Sequence, residues 1–311
     1  LPGRAIATHF KRLAMHTLAG NTVVVTGVSS GIGRAIAVDL LKAGYTVFGS
    51  VRRLEDAATI AEPGQPFYPV VFDVTDPVGI ARAVADVSSH VGNAGLAALV
   101  NNAGVNLSGP FLHQPADQFR QVMEVNFHGL VAVTRAFLPL LGATDSPRAA
   151  PGRIVNIGSV QGIMTVPFMC AYSASKHAVE AFAQGLRREL VPYGISVSTI
   201  EPNFTRSDIF DKAAKDAAAN RYEGTRYEAA WKRFNASLAA QEAKAKSAET
   251  VTRKVLHALH SPRPHTRYPL DPIWHVGRFL PDRLFDRLIF KALGITRMMS
   301  SSSSQNSRRD V

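Results

Sequence analysis

A β-branched run, Thr22-Val-Val-Val-Thr26, stops at Gly27-Val-Ser-Ser-Gly31-Ile-Gly33 and resumes as a helical pattern from Arg34 to Ala43, ended by Gly44. An unbroken apolar run of this length reads as a strand buried on both faces, the mark of a parallel sheet. Parallel strands need a crossover, and the helical segment supplies one. Tyr45 to Val51 then returns as a second strand and closes a strand–helix–strand unit. The glycines at the turn have a chemical consequence. They let the backbone approach a pyrophosphate, and the free N–H groups and dipole of the helix N-terminus stabilise its charge. Gly27, Ser29, Ser30, Gly31, Ile32 and Gly33 are therefore expected to seat the phosphates of a dinucleotide.

The alternation continues. Phe67 to Phe72 reads as a third strand ending at Asp73, followed by a helix from Pro77 to Val91. Leu96 to Val100 reads as a fourth strand running into Asn101-Asn102-Ala103-Gly104. A long helical pattern from Pro115 to Leu141 carries Asn126 in its interior, and a Pro/Gly-rich loop covers Asp145 to Gly152. Next come a strand from Arg153 towards Ser159, a helix from Cys170 to Val191, and a strand from Ile195 to Ile200 ending at Glu201-Pro202. Elements alternating at this spacing predict an α/β chain: a doubly wound parallel sheet with helices on both faces and right-handed crossovers. Ligands of such sheets bind outside the carboxyl ends of the strands. The glycine turn, Asp73, Asn101 to Gly104, Ser159 and Pro202 all fall at those ends.

The end of the second strand selects the dinucleotide. An acidic residue there would hold a ribose 2′-hydroxyl, as in NAD sites. This chain has Val51, then Arg52 and Arg53. A guanidinium pairs a 2′-phosphate, so NADP(H) is favoured over NAD(H).

Tyr172-Ser-Ala-Ser-Lys176 places a phenol and an ammonium on one helix face. A nearby ammonium favours the phenolate and is expected to draw the Tyr172 pKa from about 10 towards neutrality, where general acid–base work is efficient. Ser159, at the end of the preceding strand, would bring its hydroxyl to the same substrate oxygen. In isolation the pair would be a surface lysine beside a half-buried tyrosine, and Asn126 a polar side chain bonding a neighbouring carbonyl.

Together these motifs resemble the short-chain dehydrogenase/reductase family, over about residues 21–270, and most closely its retinol and hydroxysteroid dehydrogenase branch. The phrases Tyr172-Ser-Ala-Ser-Lys-His-Ala-Val-Glu180, Leu186-Arg-Arg-Glu-Leu190 and Ile200-Glu-Pro202 carry that branch likeness. The resemblance implies a Rossmann-like sheet of about seven strands with a helical lid. It implies that Asp73 contacts adenine and that Val74, Asn102, Ala103 and Gly104 lie beside the cofactor. Asn126, Ser159, Tyr172 and Lys176 match the catalytic tetrad. Ser159 and Tyr172 would bind the substrate oxygen, with Tyr172 giving a proton in reduction or taking one in oxidation. Lys176 would lower the Tyr172 pKa and bind the nicotinamide ribose, and Asn126 would hold a water linking Lys176 to solvent. Pro202 and Thr205 would meet the nicotinamide. The chain departs from the family pattern where Pro202 is followed by Asn203 rather than glycine, and where Ser207 replaces a threonine. A homodimer or homotetramer, built on the helices around Asn126 and Tyr172, is also implied.

Residues 206–246 are expected to form the lid, as helices at Ile209–Ala219 and Thr225–Lys246. Gln161, Met164, Val166, Phe168 and Phe204 would line the substrate pocket, and their apolar character suggests a lipophilic alcohol or ketone. A helix from Ala248 to His260 and a seventh strand from Thr266 to Leu270 follow. Ile273 to Ile295 reads as one amphipathic helix, with Leu280, Leu284, Leu288, Phe285 and Ile289 apolar and Arg283, Arg287 and Lys291 in a basic stripe. Packing on its own domain or a partner subunit is favoured over peripheral contact with a membrane. The domain thus spans 21–299, between an N-terminal extension, 1–20, and a disordered serine-rich tail, 300–311.

The net charge is +11, which invites nucleic acid or an anionic membrane as partner. The basic residues are scattered and no nucleic-acid motif accompanies them, so a surface that attracts a phosphorylated cofactor is the preferred reading. The single cysteine, Cys170, excludes an internal disulfide and fits a reducing, cytoplasmic setting. It is expected to be a buried, inert thiol. No metal site is expected from the histidine spacing. The competing class is a non-catalytic dinucleotide sensor or scaffold, whose sign would be loss of the tyrosine or lysine; NAD-linked alcohol oxidation is the other alternative.

Overall fold

The computed structural model describes residues 20–145, 150–205 and 222–295. The strands are β1 (Thr22–Val25), β2 (Thr46–Val51), β3 (Phe67–Val71), β4 (Ala98–Asn101), β5 (Arg153–Ile157), β6 (Ser196–Glu201) and β7 (Arg267–Pro269). They form one seven-stranded sheet in the order β3-β2-β1-β4-β5-β6-β7, and every pairing is parallel. The order reverses between β1 and β4, which opens a crevice at their carboxyl ends. Val25 pairs with Gly49 and Val100, and Asn101 with Asn156, so the segments after β1, β2, β4 and β5 leave the sheet side by side.

The pleat sorts β1 between two cores. Val23 and Val25 point to one face, against Ile36 and Leu40 of α1 (Gly31–Lys42) and Val255 and Leu259 of α7 (Glu249–His260). Val24 points to the other, with Leu99, Ile154, Phe137 and Leu186. That face is covered by α2 (Pro77–Val91), by α3 (Ala116–Met123) and α4 (Leu130–Phe137), and by α5 (Cys170–Glu189). Burying each such aliphatic side chain contributes about 1.5–3 kcal/mol. The start of α2 is written locally: Pro77 fits the first helical position, and the Asp76 carboxylate accepts from the Val78 N–H at 3.0 Å.

α3 and α4 are joined by a π-helical turn, Glu124–Gly129, which contains Asn126. A single helix was expected there. The turn shifts the i→i−4 ladder by one residue, a local irregularity found most often at functional sites.

A third layer crosses the carboxyl end of the sheet. It consists of α6 (Glu228–Ala243), α8 (Ile273–Gly277) and α9 (Asp282–Leu293). Ala230, Trp231 and Phe234 of α6 and Leu293 of α9 cluster with Phe168, Met169, Tyr172 and Tyr222. The segment expected as one helix from Ile273 to Ile295 is thus two, separated around Leu280-Pro281. Proline supplies no N–H to the ladder and biases its predecessor away from helix. The expected lid helix at Ile209–Ala219, the N-terminal extension up to residue 19 and the serine-rich tail lie outside the described residues.

Candidate active site

The glycine turn is set by sterics. Gly27 and Gly31 adopt φ of 70° and 55°, in the left-handed region that favours glycine. A Cβ on Gly33 would collide with the Gly27 carbonyl and the Asn102 amide. Asn102 binds the turn from β4, its Nδ2 donating to the carbonyls of Thr26 at 2.9 Å and Gly27 at 3.0 Å. The Thr26 hydroxyl in turn accepts from the N–H groups of Asn102 and Ala103. α1 begins with no side-chain cap on its N–H groups and no acidic residue in its first turn. Its N-terminal N–H groups and dipole therefore suit the phosphates of a dinucleotide.

At the end of β2 the two arginines separate. Arg53 pairs with Asp56 at 2.9 Å, while Arg52 lines the cavity. Asp73, after β3, accepts from both the N–H and hydroxyl of Thr75. The two form part of the cavity wall with Val74, Asn102, Ala103 and Gly104.

Beyond the glycine turn, β5 delivers Ser159 and the first turn of α5 delivers Tyr172. Both are buried, and the Ser159 hydroxyl hydrogen-bonds the Tyr172 phenol. Lys176 lies one turn further along α5, its Nζ donating to the Ile157 carbonyl at 2.9 Å and lying 5.7 Å from the Tyr172 ring centroid. Asn126 Oδ1 accepts from the Val105 N–H at 2.8 Å, and its Nδ2 donates to the Val105 carbonyl at 2.9 Å and Ser175 Oγ at 3.0 Å. The side chain read as holding a water thus braces the strand-β4 exit against α5.

The electrostatics differ from expectation. Burial pushes the Tyr172 phenol above its ordinary value, and the Ser159 hydrogen bond pulls the other way. The lowering expected from Lys176 is not among the influences on the phenol, where desolvation comes first and only Ser159 opposes it. Burial also lowers Lys176, to about 8, against the acidic influence of Glu180. Tyr172 is consequently a protonated acid at neutral pH, the form that donates.

A cavity of about 860 Å³ runs from the glycine turn past Ser159, Tyr172 and Lys176 to the third layer. Pro202, Phe204 and Thr205 line it after β6, as do Gln161, Met164 and Val166. Gln161 is fixed there by Ser173, which donates to its Oε1 at 2.8 Å. Phe168, expected in the pocket, is instead buried in an aromatic cluster with Tyr227, Trp231 and Phe234. Its backbone has a φ of 72°, which turns the ring away and gives the neighbouring Met169 the place on the cavity wall. Cys170, expected to be buried, is exposed, because it occupies the first position of α5 on its outer side.

Sequence reasoning missed the far wall. It is built from Phe234 and Leu238 of α6 and from Phe285, Ile289 and Leu293 of α9. Both sets recur at i, i+4 and, in α9, i+8. That signal was visible, but helical spacing alone does not say whether a face meets a cavity, a core or a membrane.

The glycine turn and the serine–tyrosine–lysine constellation line one cavity, and the similarities that follow make the chain an NAD(P)-dependent oxidoreductase. The chain belongs to the short-chain dehydrogenase family, whose model matches residues 21–218. It is 40% identical, over 87% of its length and 96% of the relative, to an NADPH-dependent 3-dehydrocapnine reductase of Ornithobacterium rhinotracheale. It is 30% identical to retinol dehydrogenase 5 of Mus musculus, over 86% of this chain and 87% of that one. Among solved structures, a short chain dehydrogenase/reductase from Burkholderia phymatum in complex with NAD superposes with a TM-score of 0.71 at 25% identity, covering 86% of this chain and 95% of that one.

Proposed function

We propose that the protein is an NADP(H)-dependent oxidoreductase that interconverts a lipophilic alcohol and its ketone or aldehyde, working as a carbonyl reductase when Tyr172 is the proton donor. The observation that carries this reading is the continuous cavity, with Arg52 and the glycine turn at one end, Ser159 and Tyr172 midway, and the apolar faces of α6 and α9 at the other. The NADPH dependence of the 3-dehydrocapnine reductase supports the same cofactor.

A bound nicotinamide dinucleotide supplies the hydride for reduction. The chain's own residues do the rest. The N-terminus of α1 and Arg52 hold phosphate charge. Ser159 and Tyr172 donate hydrogen bonds to the carbonyl oxygen and polarise it, and the Tyr172 proton then passes to that oxygen as negative charge develops. The Lys176 ammonium stabilises the resulting phenolate, and Asn126 holds Val105 in place. The apolar far wall excludes water and favours a lipophilic substrate.

Two further readings accompany this one. The outer side of α9 presents Leu284 and Leu288 to solvent beside Arg283, Arg287 and Lys291, a pattern suited to peripheral contact with an anionic lipid surface. A homo-oligomer built on α3–α4 and α5 fits the family. Flotation with anionic and neutral vesicles tests the first, and light scattering the second. No helix among the described residues is long and apolar enough to cross a membrane.

The main test is oxidation of NADPH and of NADH over a panel of ketones and aldehydes of increasing apolar size. NADPH-linked turnover that improves with apolar size is expected. NADH-linked turnover alone would overturn the cofactor assignment, and cofactor binding without turnover of any carbonyl or alcohol would leave a dinucleotide sensor.

A further inference from the structure

Beneath the catalytic lysine lies a buried charge cluster that the chemistry above does not use. Glu180 is on α5, one turn beyond Lys176 and on the same face. Glu201 ends β6, immediately before Pro202. Arg267 of β7 stands between them. Its Nη2 and Nε reach Glu180 Oε2 at 2.9 Å and 3.1 Å, and its Nε lies 3.6 Å from Glu201 Oε1. Both carboxylates are buried, Glu201 completely.

The distances separate the two acids. A guanidinium that hydrogen-bonds one carboxylate through Nε and adds a 2.9 Å ion pair to it through Nη2, but only approaches the other, stabilises charge on the first. Two buried carboxylates beside one cation do not both ionise readily, so the negative charge belongs on Glu180 and the proton on Glu201. Burial raises both acids; at Glu180 the Arg267 charge is the foremost influence against it, while at Glu201 burial followed by the Glu180 charge pushes the carboxyl up to about 8. Glu180 faces Lys176 from its own helix, Glu201 from β6 and Arg267 from β7. With Arg187, His265, Trp274 and Arg278, Glu180 and Arg267 line a second cavity of about 340 Å³.

We propose that Glu180 is a positioning residue for catalysis: held ionised by Arg267, it keeps the buried Lys176 ammonium charged, and Glu201 tunes how much of that charge Glu180 carries. The proposal rests on Lys176 serving Tyr172 as described above. Among the described residues the Lys176 Nζ donates to the Ile157 carbonyl, and desolvation disfavours its charge. Glu180 is the acidic group that opposes this loss. The cluster also joins the catalytic helix to the strand leading into Pro202–Thr205, so one charge pair spans both walls of the site.

The test is the pH profile of kcat for NADPH-linked reduction in three variants. Glu180→Gln removes the supporting charge, and the alkaline limb is expected to move to lower pH by about one unit. Glu180→Asp keeps the charge and should return most of that shift. Glu201→Gln removes the acid that competes with Glu180 for the cluster's single negative charge, leaves that charge wholly on Glu180, and should move the limb to higher pH. A purely structural cluster would lower activity without displacing the limb, and an alkaline limb unmoved in Glu180→Gln overturns the proposal. Should Glu180→Gln not fold, Glu201→Gln decides: an upward shift supports the proposal and its absence refutes it. Tyr172→Phe distinguishes the underlying reading. If that variant still reduces carbonyls, the catalytic assignment itself fails; if it is inactive while the Glu180→Gln limb stays in place, only the Glu180 proposal fails.

Discussion

Arg53 is tied to Asp56 by a 2.9 Å ion pair, and the cavity wall is left to Arg52. The two neighbours therefore have different uses. Replacing Arg52 by alanine should raise KM for NADPH about 10- to 100-fold, the loss of one or two charge-assisted hydrogen bonds, and leave KM for NADH nearly unchanged. Arg53→Ala should alter neither by more than about twofold, since an ion pair in contact with solvent is screened and contributes little. Steady-state kinetics with both cofactors checks this.

Tyr172→Phe keeps the ring and removes the proton donor. The expected result is a fall in kcat of about 10²–10⁴-fold with NADPH affinity preserved, read by stopped-flow turnover and by quenching of Trp231 and Trp274 fluorescence.

Gly33 has no room for a methyl group. Gly33→Ala should destabilise the fold by about 1–3 kcal/mol through overpacking and abolish measurable dinucleotide binding. Thermal unfolding and cofactor titration of the same sample separate the two effects.

Leu238→Trp would fill part of the far wall between α6 and α9. The largest apolar carbonyl substrates should lose about tenfold in kcat/KM, in line with hydrophobic-pocket discrimination, while small ketones and NADPH are unaffected. Equal losses for all substrates would mean that this wall does not contact substrate.

Glu201 gives a stability prediction with a defined sign. Its pKa is about 8 in the folded chain and 4.5 as its ordinary value, so the folded state holds a proton that the unfolded state has lost between those values. The contribution is fully present below pH 4.5 and is lost as pH rises to about 8. Glu201→Gln lacks this proton uptake. Its Tm relative to the unmodified protein should therefore rise between pH 5 and pH 8 by a few degrees, measured calorimetrically at both values.

Much of the sheet and of the glycine turn could be read from the chain because each part is locally encoded. The strand–glycine–helix sequence at 22–43, the capped helix at Pro77–Val91 and the one-turn spacing of Tyr172 and Lys176 depend on neighbours within a few residues. The third layer was less legible for the opposite reason. Whether Phe285 and Ile289 face a cavity depends on where α6 lies, more than forty residues earlier in the chain. Phe168 was misplaced because its backbone is left-handed, and nothing in a phenylalanine announces that conformation. The Tyr172 proton affinity failed similarly: the lysine was visible in the sequence, but the depth of burial opposing it was not.

Asn102 spans from β4 to the glycine turn and fastens it with two hydrogen bonds made entirely within the protein. The loop's conformational entropy is thus surrendered during folding rather than at ligand capture. Association with a dinucleotide should then show little coupled ordering, with exchange protection of the Gly27–Gly33 amides already high in the apoprotein. Cutting those two bonds, as in Asn102→Ala, would convert a preorganised receptor into one that must be ordered at each encounter, and the defect would appear chiefly as slower association of the cofactor.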